Sequence, residues 1–330
     1  MNFKAIVKNI EKFKKITLAK GFSLQDLKTE KRYGLNGATT SKFGKNWFIT
    51  PKGKAIFKNY DTEDSKTRVI NELLYMHLAK QIGVPVAEYE PTNYKKHDGL
   101  VTYNFLKDNE ELMHCSEFFA PDWLYLTYTK FADYFKLVYD YKQRVDYDKI
   151  CFDLFKIMVL DSLTFQEDRT RNLFVIKNEE TEMLSLAPAF DNEYAFCGQS
   201  LMFDLKYFKH EIKLEDLLAE HARYMYLVAS DYTLLKNKYN MYEADINQII
   251  KLAKTKPTYS VFLKQALNKI DYQKAITNIE QSGYKINGDY KKFLLRLEKI
   301  TKHFYNEYLN LNEAQDQKSV KNTDLLDKFF

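Results

Sequence analysis

The feature that most constrains the fold is a strand–turn–strand pattern between two polar residues. The residues Leu173–Ile176 are apolar and partly β-branched, Asn178–Thr181 are polar, and Met183–Ala187 are largely apolar again. This pattern predicts an antiparallel hairpin. Because a hairpin brings its two ends together, we expect Asn172 at its entrance and Asp191 just past its exit to be neighbours in space.

A third polar residue, Asp168, lies shortly before the hairpin. Phosphoryl transfer requires a carboxylate near the acceptor hydroxyl, together with an amide oxygen and a second carboxylate that hold Mg²⁺ against a triphosphate. Asp168, Asn172 and Asp191 are groups of these kinds, and Mg²⁺ requires its ligands at about 2.1 Å. The segment therefore predicts an ATP-dependent phosphotransferase site in which Asn172 and Asp191 are the metal ligands.

The composition favours a helical protein with a smaller sheet. The chain has 330 residues, of which 45% are hydrophobic, which is enough for a packed core. Tyr (25) and Phe (24) are abundant, whereas Gly (10) and Pro (6) are scarce. Because a many-turned β fold needs more glycine and proline, we expect an α+β fold.

Charge and cysteine usage exclude several classes of protein. The 50 Lys and Arg residues nearly balance the 45 Asp and Glu residues, for a net charge of +5, and no block of like charge predicts direct nucleic-acid binding. No apolar run approaches the roughly 18 residues of a membrane span. The 3 cysteines are dispersed, which fits a reducing cytosol. We expect a cytoplasmic location, with export as an effector left open.

A lysine and a glutamate in the first third of the chain are predicted to pair. The alternation in Ala55–Lys58 predicts a strand. Apolar residues at helical spacing predict a helix that is capped by Asp64, runs through about Ile82 and stops at Gly83. Glu72 lies beside the apolar stripe of that helix, so it is partly buried and needs a cation. Lys58 is the natural candidate.

A boundary between two domains is predicted near residue 106. Strands are expected at Val84–Tyr89 and Leu100–Phe105, after which the composition becomes helical. The segment Tyr147–Phe165 is almost continuously apolar, which predicts a central buried helix that leads to the Asp168 segment. Further helices follow, including one over Tyr259–Ile279. The first domain would therefore span residues 1–105 and the second residues 106–330.

Several motifs along the chain resemble the HipA-like kinases, including their single-chain members, and the resemblance covers roughly residues 34 to 205. The motifs lie in Val69–Glu72, Leu78–Val84, Asp161–Asn172 and Leu186–Asp191. The resemblance implies a two-lobed protein-kinase-like fold with a small β-rich N-lobe and a larger helical C-lobe. It also implies an enzyme that uses ATP and Mg²⁺.

Residue roles follow from the resemblance position by position. It implies that Lys58 contacts the α- and β-phosphates and is held by Glu72. It implies that Asp168 is the catalytic base and that Asn172 and Asp191 bind the metal.

Two further segments have a role by the same resemblance. Residues 101–105 correspond to the hinge that binds adenine, with Val101 and Tyr103 as its members. The loop that covers the phosphates corresponds to Gly37, Ala38, Thr39, Thr40, Ser41 and Lys42. The hydroxyl groups of that loop are also candidate autophosphorylation sites, although its glycines alone would fit ordinary turns.

The sequence departs from the family in two places. The spacing from Asp168 to Asn172 is one position shorter than usual, so Glu167 is an alternative base. We favour Asp168, because Arg169 follows it as in the family. Only some thirty residues precede the phosphate loop, where HipA-type toxins carry a sizeable subdomain, so repressor-linked DNA binding is not expected.

Two other polar residues near this segment have open roles. Asp161, on the apolar helix, either orients the catalytic loop or is satisfied by backbone amides. Arg169 either neutralises phosphate charge or pairs with Glu167 and Asp191.

The sequence thus predicts a HipA-like kinase that transfers the γ-phosphoryl group of ATP to Ser or Thr on a protein, itself included. Two alternatives remain open at this stage: a lipid or small-molecule kinase on the same fold, and a non-catalytic pseudokinase or toxin relic. An antitoxin partner is also left open.

Overall fold

The structure is a computed structural model, and its description covers about half of the chain. Predicted features in residues 1–45, 115–145, 197–248 and 310–330, among them the phosphate loop, lie outside the described residues. The structure describes residues 46–50, 53–59, 63–94, 97–114, 146–166, 169, 172–196, 249–250, 252–299, 301–303, 305–306 and 309.

The first sheet is antiparallel and has four strands. They are β1 (Asn46–Thr50), β2 (Gly53–Asn59), β3 (Tyr89–Tyr94) and β4 (His97–Tyr103), in the spatial order β1-β2-β4-β3. The predicted strand at Ala55–Lys58 is confirmed, because it lies within β2. Strand β4 is central and pairs with β2 on one side and with β3 on the other.

The helix α1 (Glu63–Ile82) follows β2, and Asp64, which was expected to cap it, lies inside its first turn instead. Gly83 ends it in the left-handed region at φ 74°, which is the conformation that glycine adopts at helix C-termini. The N–H of Val84 then donates to the carbonyl of Ala79 at 2.9 Å. The predicted helix and its stop are both confirmed.

The prediction of a strand over residues 84–89 is wrong. Only Val86 forms an isolated bridge there, in parallel with Ala189, and strand β3 begins at Tyr89. Pro85 has no N–H to give to a sheet, and its carbonyl accepts from the N–H of Ala189 at 2.9 Å. The segment therefore pairs with the chain just before Asp191 instead of joining the first sheet.

The second sheet contains the predicted hairpin. Its strands β5 (Glu110–His114), β6 (Phe174–Asn178) and β7 (Leu184–Leu186) lie in the order β5-β6-β7 and are antiparallel. The β6–β7 hairpin is confirmed, and the side chain of Asn178 closes its turn by accepting from the N–H of Thr181 at 2.8 Å. Strand β5 corrects the expectation that the chain becomes helical directly after residue 106.

The helix α2 (Tyr147–Thr164) is the predicted buried helix. Asp146 caps its first turn by accepting from the N–H of Lys149 at 3.0 Å. Phe165 ends it in the left-handed region at φ 50°. The side chains of Phe155, Val159 and Leu160 are at most 1% exposed, so α2 lies in the core and leads to the Asp168 segment.

Two helices replace the single one predicted over Tyr259–Ile279. They are α3 (Pro257–Lys269) and α4 (Tyr272–Gln281), and residues 288–299 are helical again. The break occurs because Asp271 is an N-cap that accepts from the N–H of Lys274 at 2.8 Å. The apolar periodicity of the two helices is similar, so the pattern alone did not reveal the break.

One buried apolar cluster joins most of these elements. It includes Leu74 of α1, Leu160 of α2, Val175 of β6, Leu263 of α3 and Ile276 of α4. The fold is therefore a mixed α and β arrangement in which small antiparallel sheets and helices share one core. Among the described residues, no helix is both long and apolar enough to cross a membrane.

Gly99, on β4, lies close to the backbone of β2 at Lys58. A Cβ atom at Gly99 would lie 2.1 Å from the carbonyl oxygen of Lys58 and 2.7 Å from the ring of Phe57. We expect Gly99→Ala to lower the free energy of unfolding by about 1–3 kcal/mol, because the two strands must separate. Urea denaturation measures this change.

The matched control is Gly288→Ala. A Cβ atom at Gly288 would meet nothing within 4 Å, and alanine favours the helix that begins there. We expect this variant to be at least as stable as the wild type. Equal losses of stability in the two variants would contradict the close approach at Gly99.

Candidate functional site

Lys58 and Glu72 form an ion pair between β2 and α1. The Nζ atom of Lys58 lies 2.7 Å from Oε1 of Glu72, and the two side chains are 11% and 0% exposed. The other oxygen of Glu72, Oε2, accepts from the backbone N–H of Asn192 at 2.8 Å. Both oxygens of this buried carboxylate are therefore satisfied, as its burial requires. The contact predicted for Lys58 and Glu72 is present.

Asp191 is the second carboxylate that Lys58 contacts, through Oδ1. Its backbone adopts the left-handed conformation at φ 55°, which aspartate tolerates better than most residues. Its N–H donates to the hydroxyl of Tyr89 at 2.9 Å, and the ring of Tyr89 lies 5.8 Å from Nζ of Lys58. These contacts orient Asp191 so that its side chain, 28% exposed, reaches both Lys58 and solvent.

Asn172 lies beside Asp191, as the hairpin predicted. Its Nδ2 atom is 3.5 Å from the backbone carbonyl oxygen of Asp191, and its own N–H donates to the carbonyl of Arg169 at 2.9 Å. The entrance and the exit of the β6–β7 hairpin therefore meet. The amide of Asn172 therefore lies next to the backbone of Asp191, although the two residues are distant in sequence.

The side chains of Val101 and Tyr103 lie on the other face of the sheet from Lys58. Val101 is paired with Phe57 and Tyr103 with Ala55, and these side chains pack into an apolar cluster apart from the main core. Residues alternate between faces along a strand, so Lys58 points to the opposite side. The structure does not bring these two side chains to the lysine.

The backbone of β4 limits where a hinge could lie. Val101 is paired on both sides, with β2 and with β3, so its backbone groups face neighbouring strands. Strand β4 ends at Tyr103. The hydroxyl of Tyr103 donates to Oε2 of Glu90 at 2.7 Å. Burial raises the pKa of Tyr103, and the hydrogen bond to Glu90 adds to this rise. The hydroxyl therefore stays protonated. Residues 104–105 are the part of the predicted hinge that lies beyond the sheet.

Two sets of predicted site residues lie outside the described residues. One set contains Asp168 and the alternative base Glu167. The other is the phosphate loop, Gly37 to Lys42.

A second buried ionic cluster contains Arg169, the residue that follows Asp168 in the sequence. The guanidinium of Arg169 donates from Nε to Oδ2 of Asp161 at 2.9 Å and from a terminal nitrogen to Oδ1 at 3.0 Å. The hydroxyl of Tyr75, on α1, donates to the same Oδ1 at 2.7 Å. Both charged side chains are at most 5% exposed. Burial raises the pKa of Tyr75 well above its usual value, and the negative charge of Asp161 adds to this rise.

Arg169 also binds the chain around Asp191. It donates to the carbonyl oxygen of Phe190 at 3.3 Å and to Oδ1 of Asn192 at 2.5 Å. Because these are the residues on either side of Asp191, the guanidinium fixes the backbone that carries this carboxylate. The charge partner that the structure shows for Arg169 is therefore Asp161. This pairing accounts for its burial without the expected contacts with Glu167 and Asp191 or with phosphate.

The sequence contained a signal for this cluster. Asp161 lies on an apolar helix, where a carboxylate needs a cation, and Arg169 is the next arginine along the chain. Of the two roles left open for Asp161, the orientation of the catalytic loop agrees with its contacts, since its carboxylate binds the side chains of Arg169 and Tyr75. Tyr75 and Asn192 left no comparable signal.

Glu193 adds a further carboxylate next to the ion pair. Burial raises its pKa; the charge of Lys58 opposes that rise, and the charges of Asp191 and Glu72 add to it. Its Oε1 lies 3.3 Å from the guanidinium of Arg68. The region around Lys58 thus combines several carboxylates with two cations in a poorly solvated setting.

The chemistry of these donors fits a magnesium–triphosphate group. Carboxylate and amide oxygens such as those of Asp191 and Asn172 are ligands that Mg²⁺ accepts, and the ammonium group of Lys58 is a phosphate-binding charge. A site made of at least three His, Cys, Asp or Glu residues is absent from the described residues.

Comparison with solved structures identifies the fold. The crystal structure of the Helicobacter pylori proinflammatory kinase CtkA matches with a TM-score of 0.55 and 14% sequence identity, over 83% of this chain and 98% of that chain. This match shows that the chain has the fold of that kinase.

A second solved structure is the Shewanella oneidensis HipA toxin in complex with HipB and operator DNA. It matches with a TM-score of 0.42 and 14% identity, over 80% of this chain and 60% of that chain. No protein-family model matches the chain, and no curated protein matches it by sequence.

The buried pair of Asp161 and Arg169 generates a stability prediction. Asp161→Asn leaves the guanidinium buried without a counter-charge, so we expect the free energy of unfolding to fall by about 3–5 kcal/mol. Urea denaturation at neutral pH measures the change.

The control makes the same substitution elsewhere on α2. Asp148 pairs with Lys256 at the surface and its side chain is 79% exposed. Because such pairs contribute little, Asp148→Asn should change stability by at most about 1 kcal/mol. A similarly small loss in Asp161→Asn would show that the buried pair does not hold this part of the structure together.

Proposed function

We propose that this chain is an ATP- and Mg²⁺-dependent serine/threonine protein kinase of the HipA-like type. The observation that carries the proposal is the convergence of Lys58, Glu72 and Asp191, which come from a strand, a helix and the end of a hairpin. Asn172 lies next to the backbone of Asp191. The fold shared with the H. pylori kinase supports the same conclusion.

Each converging residue has a role in this proposal. Lys58 binds the α- and β-phosphates of ATP, and Glu72 holds its ammonium group in place. Asn172 and Asp191 provide oxygen ligands for Mg²⁺. When bound, Mg²⁺ offsets the negative charge of the phosphates during transfer. The contact between Lys58 and Asp191 supports these roles, because it puts the proposed phosphate-binding group within reach of the proposed metal ligand.

Asp168 is proposed as the catalytic base, which accepts the proton of the attacking hydroxyl. The residue after it, Arg169, is buried and tied to Asp161 and to the carbonyl of Phe190. This anchoring supports the choice of Asp168, because it fixes the backbone directly next to that residue relative to Asp191. Fixed geometry of this kind is a large part of catalysis in phosphoryl transfer.

The two-lobed organisation belongs to the proposal as well. Residues 1–105 would form the lobe that binds ATP with the loop Gly37–Lys42, and residues 106–330 the lobe that binds the protein substrate. An antitoxin partner is consistent with the HipA-like type.

The decisive experiment incubates the purified chain with radiolabelled ATP and Mg²⁺. Acceptors are a panel of proteins, the chain itself and vesicles that contain inositol lipids. We expect label on Ser or Thr of protein, and mass spectrometry of residues 36–46 tests autophosphorylation of the phosphate loop. Label on lipid alone would replace the proposal with a lipid kinase. Nucleotide binding without any transfer would identify a non-catalytic binding module.

Asp191→Asn tests the proposed metal ligand. An amide is a weaker Mg²⁺ ligand than a carboxylate, so we expect phosphoryl transfer to fall at least about 100-fold. The fold should persist, because Lys58 keeps its contact with Glu72. Initial rates of transfer, with circular dichroism as the check on folding, measure both effects.

The control neutralises another lysine-paired carboxylate. Asp153 is 7% exposed and lies on α2, where it accepts from Lys149 and Lys156 at 2.7 Å each. Asp153→Asn should retain transfer at temperatures where it is folded. Retained activity in Asp191→Asn would remove this residue from the proposed metal site.

The base is tested by comparing Asp168→Asn with Glu167→Gln. We expect Asp168→Asn to lower kcat by about 10²–10⁴-fold, the contribution of a general base, and to leave the Kd for ATP nearly unchanged. Glu167→Gln should change neither quantity appreciably. The reverse pattern of rates would assign the base to Glu167.

A further inference from the structure

Asn71 is a buried residue next to Glu72 on α1. Its side chain is 0% exposed, and its Nδ2 atom donates to the carbonyl oxygens of Glu193 and Ala195 at 2.9 Å each. Both hydrogens of the amide are therefore used on the segment that follows Asp191. Asn71 joins the helix that carries one site carboxylate to the segment that carries the other.

The oxygen of the same amide is bound from the C-terminal region. Tyr290, in helical residues 288–299, donates its hydroxyl to Oδ1 of Asn71 across 219 positions of sequence. Tyr290 is 7% exposed, and its ring stacks on Phe293 with centroids 6.0 Å apart. With three hydrogen bonds the amide of Asn71 has each of its hydrogens and its oxygen occupied.

Two more contacts join the same C-terminal region to the elements around Lys58. Gln81, at the end of α1, donates to the carbonyl of Asp271 at 2.9 Å and accepts from the N–H of Asp271 at 2.7 Å. The hydroxyl of Tyr284 donates to the carbonyl of Gly99 at 3.1 Å. We refer to residues 271–290 as the C-terminal strap, because they contact α1 at two places and β4 at a third.

The strap restricts the movement of α1. Any shift of the helix that separates Glu72 from Lys58 also moves Asn71, which lies one residue away and has no access to water. Such a shift would leave buried donors and acceptors unsatisfied, and each unsatisfied group is costly. Because Asn71 also binds the carbonyls of residues 193 and 195, the strap, α1 and the Asp191 segment are held as one unit.

We propose that Asn71 and Tyr290 are positioning residues through which the C-terminal strap keeps Glu72 and Asp191 within reach of Lys58. The inference rests on the proposed function, because it assigns the strap a part in forming the nucleotide site. Neither residue touches the nucleotide in this proposal. They act through the placement of the two carboxylates.

The test uses Tyr290→Phe in the full chain. The substitution removes one hydroxyl and keeps the ring that packs on Phe293. We expect the Kd of the non-hydrolysable analogue AMP-PNP with Mg²⁺ to rise roughly two- to tenfold, as the loss of one buried hydrogen bond predicts. We also expect faster amide hydrogen exchange in peptides from α1 and from residues 189–196.

The control removes a different buried hydroxyl from the C-terminal region. Tyr305 is 0% exposed and its hydroxyl bonds that of Ser162, on α2. Tyr305→Phe should lose stability without weakening AMP-PNP binding or loosening α1. All variants are compared at a temperature where each is folded, so that a general loss of stability does not mimic a change in affinity.

A double-mutant cycle tests whether the hydroxyl acts through Asn71. Combined with Asn71→Ala, Tyr290→Phe should add no further loss of AMP-PNP affinity, because its partner is already absent. Additive losses would overturn the proposed route through the amide. If Asn71→Ala does not fold, the AMP-PNP affinity and the amide exchange of Tyr290→Phe alone still decide whether the strap positions the site.

Failure of the inference and failure of the proposed function give different results. If the wild-type chain binds AMP-PNP and Tyr290→Phe matches it in Kd and in exchange, the strap does not position the site. The same conclusion follows if Tyr305→Phe weakens binding as much. If the wild type binds no nucleotide, the proposed kinase fails, and exchange of α1 alone then decides whether the strap fixes that helix.

Discussion

The contact of Lys58 with two carboxylates is the interaction on which the rest of the described structure depends. Glu72 is fully buried and would be costly without a cation, so β2 and α1 must lie where the lysine reaches it. Asp191 reaches the same ammonium group only because the β6–β7 hairpin returns the chain. One cation therefore fixes a strand, a helix and the end of a hairpin relative to each other.

A buried guanidinium holds the other side of the site. Arg169 binds Asp161 with two nitrogens, and further bonds reach Phe190 and Asn192, on either side of Asp191. A buried ion pair of this kind contributes little net stability, but loss of one member is costly. The effect of this pair is on geometry, because it fixes Arg169, which precedes the hairpin, relative to residues 190–192, which follow it. The proposed chemistry needs that fixed arrangement.

Local patterns predicted the elements that depend on local physics. Helical spacing gave α1, including its stop at Gly83, and strand alternation gave β2 and the hairpin. The requirement that a buried carboxylate find a cation gave the pair of Lys58 and Glu72. Predictions failed where the partner was distant. Residues 84–89 had strand composition but paired with Ala189, and strand β5 formed because β6 offered an edge.

The sequence by itself determined which chemical groups are present and where short-range turns bring them together, because a hairpin and a helix stop act over a few residues. It could not determine which face of β4 Val101 and Tyr103 occupy relative to Lys58, nor that Asn71 meets Tyr290. Those outcomes depend on strand register and on side chains that meet only after helices pack. Only the tertiary structure decided them, because a hydrogen bond between groups far apart in the chain leaves no periodic trace in the residues between them.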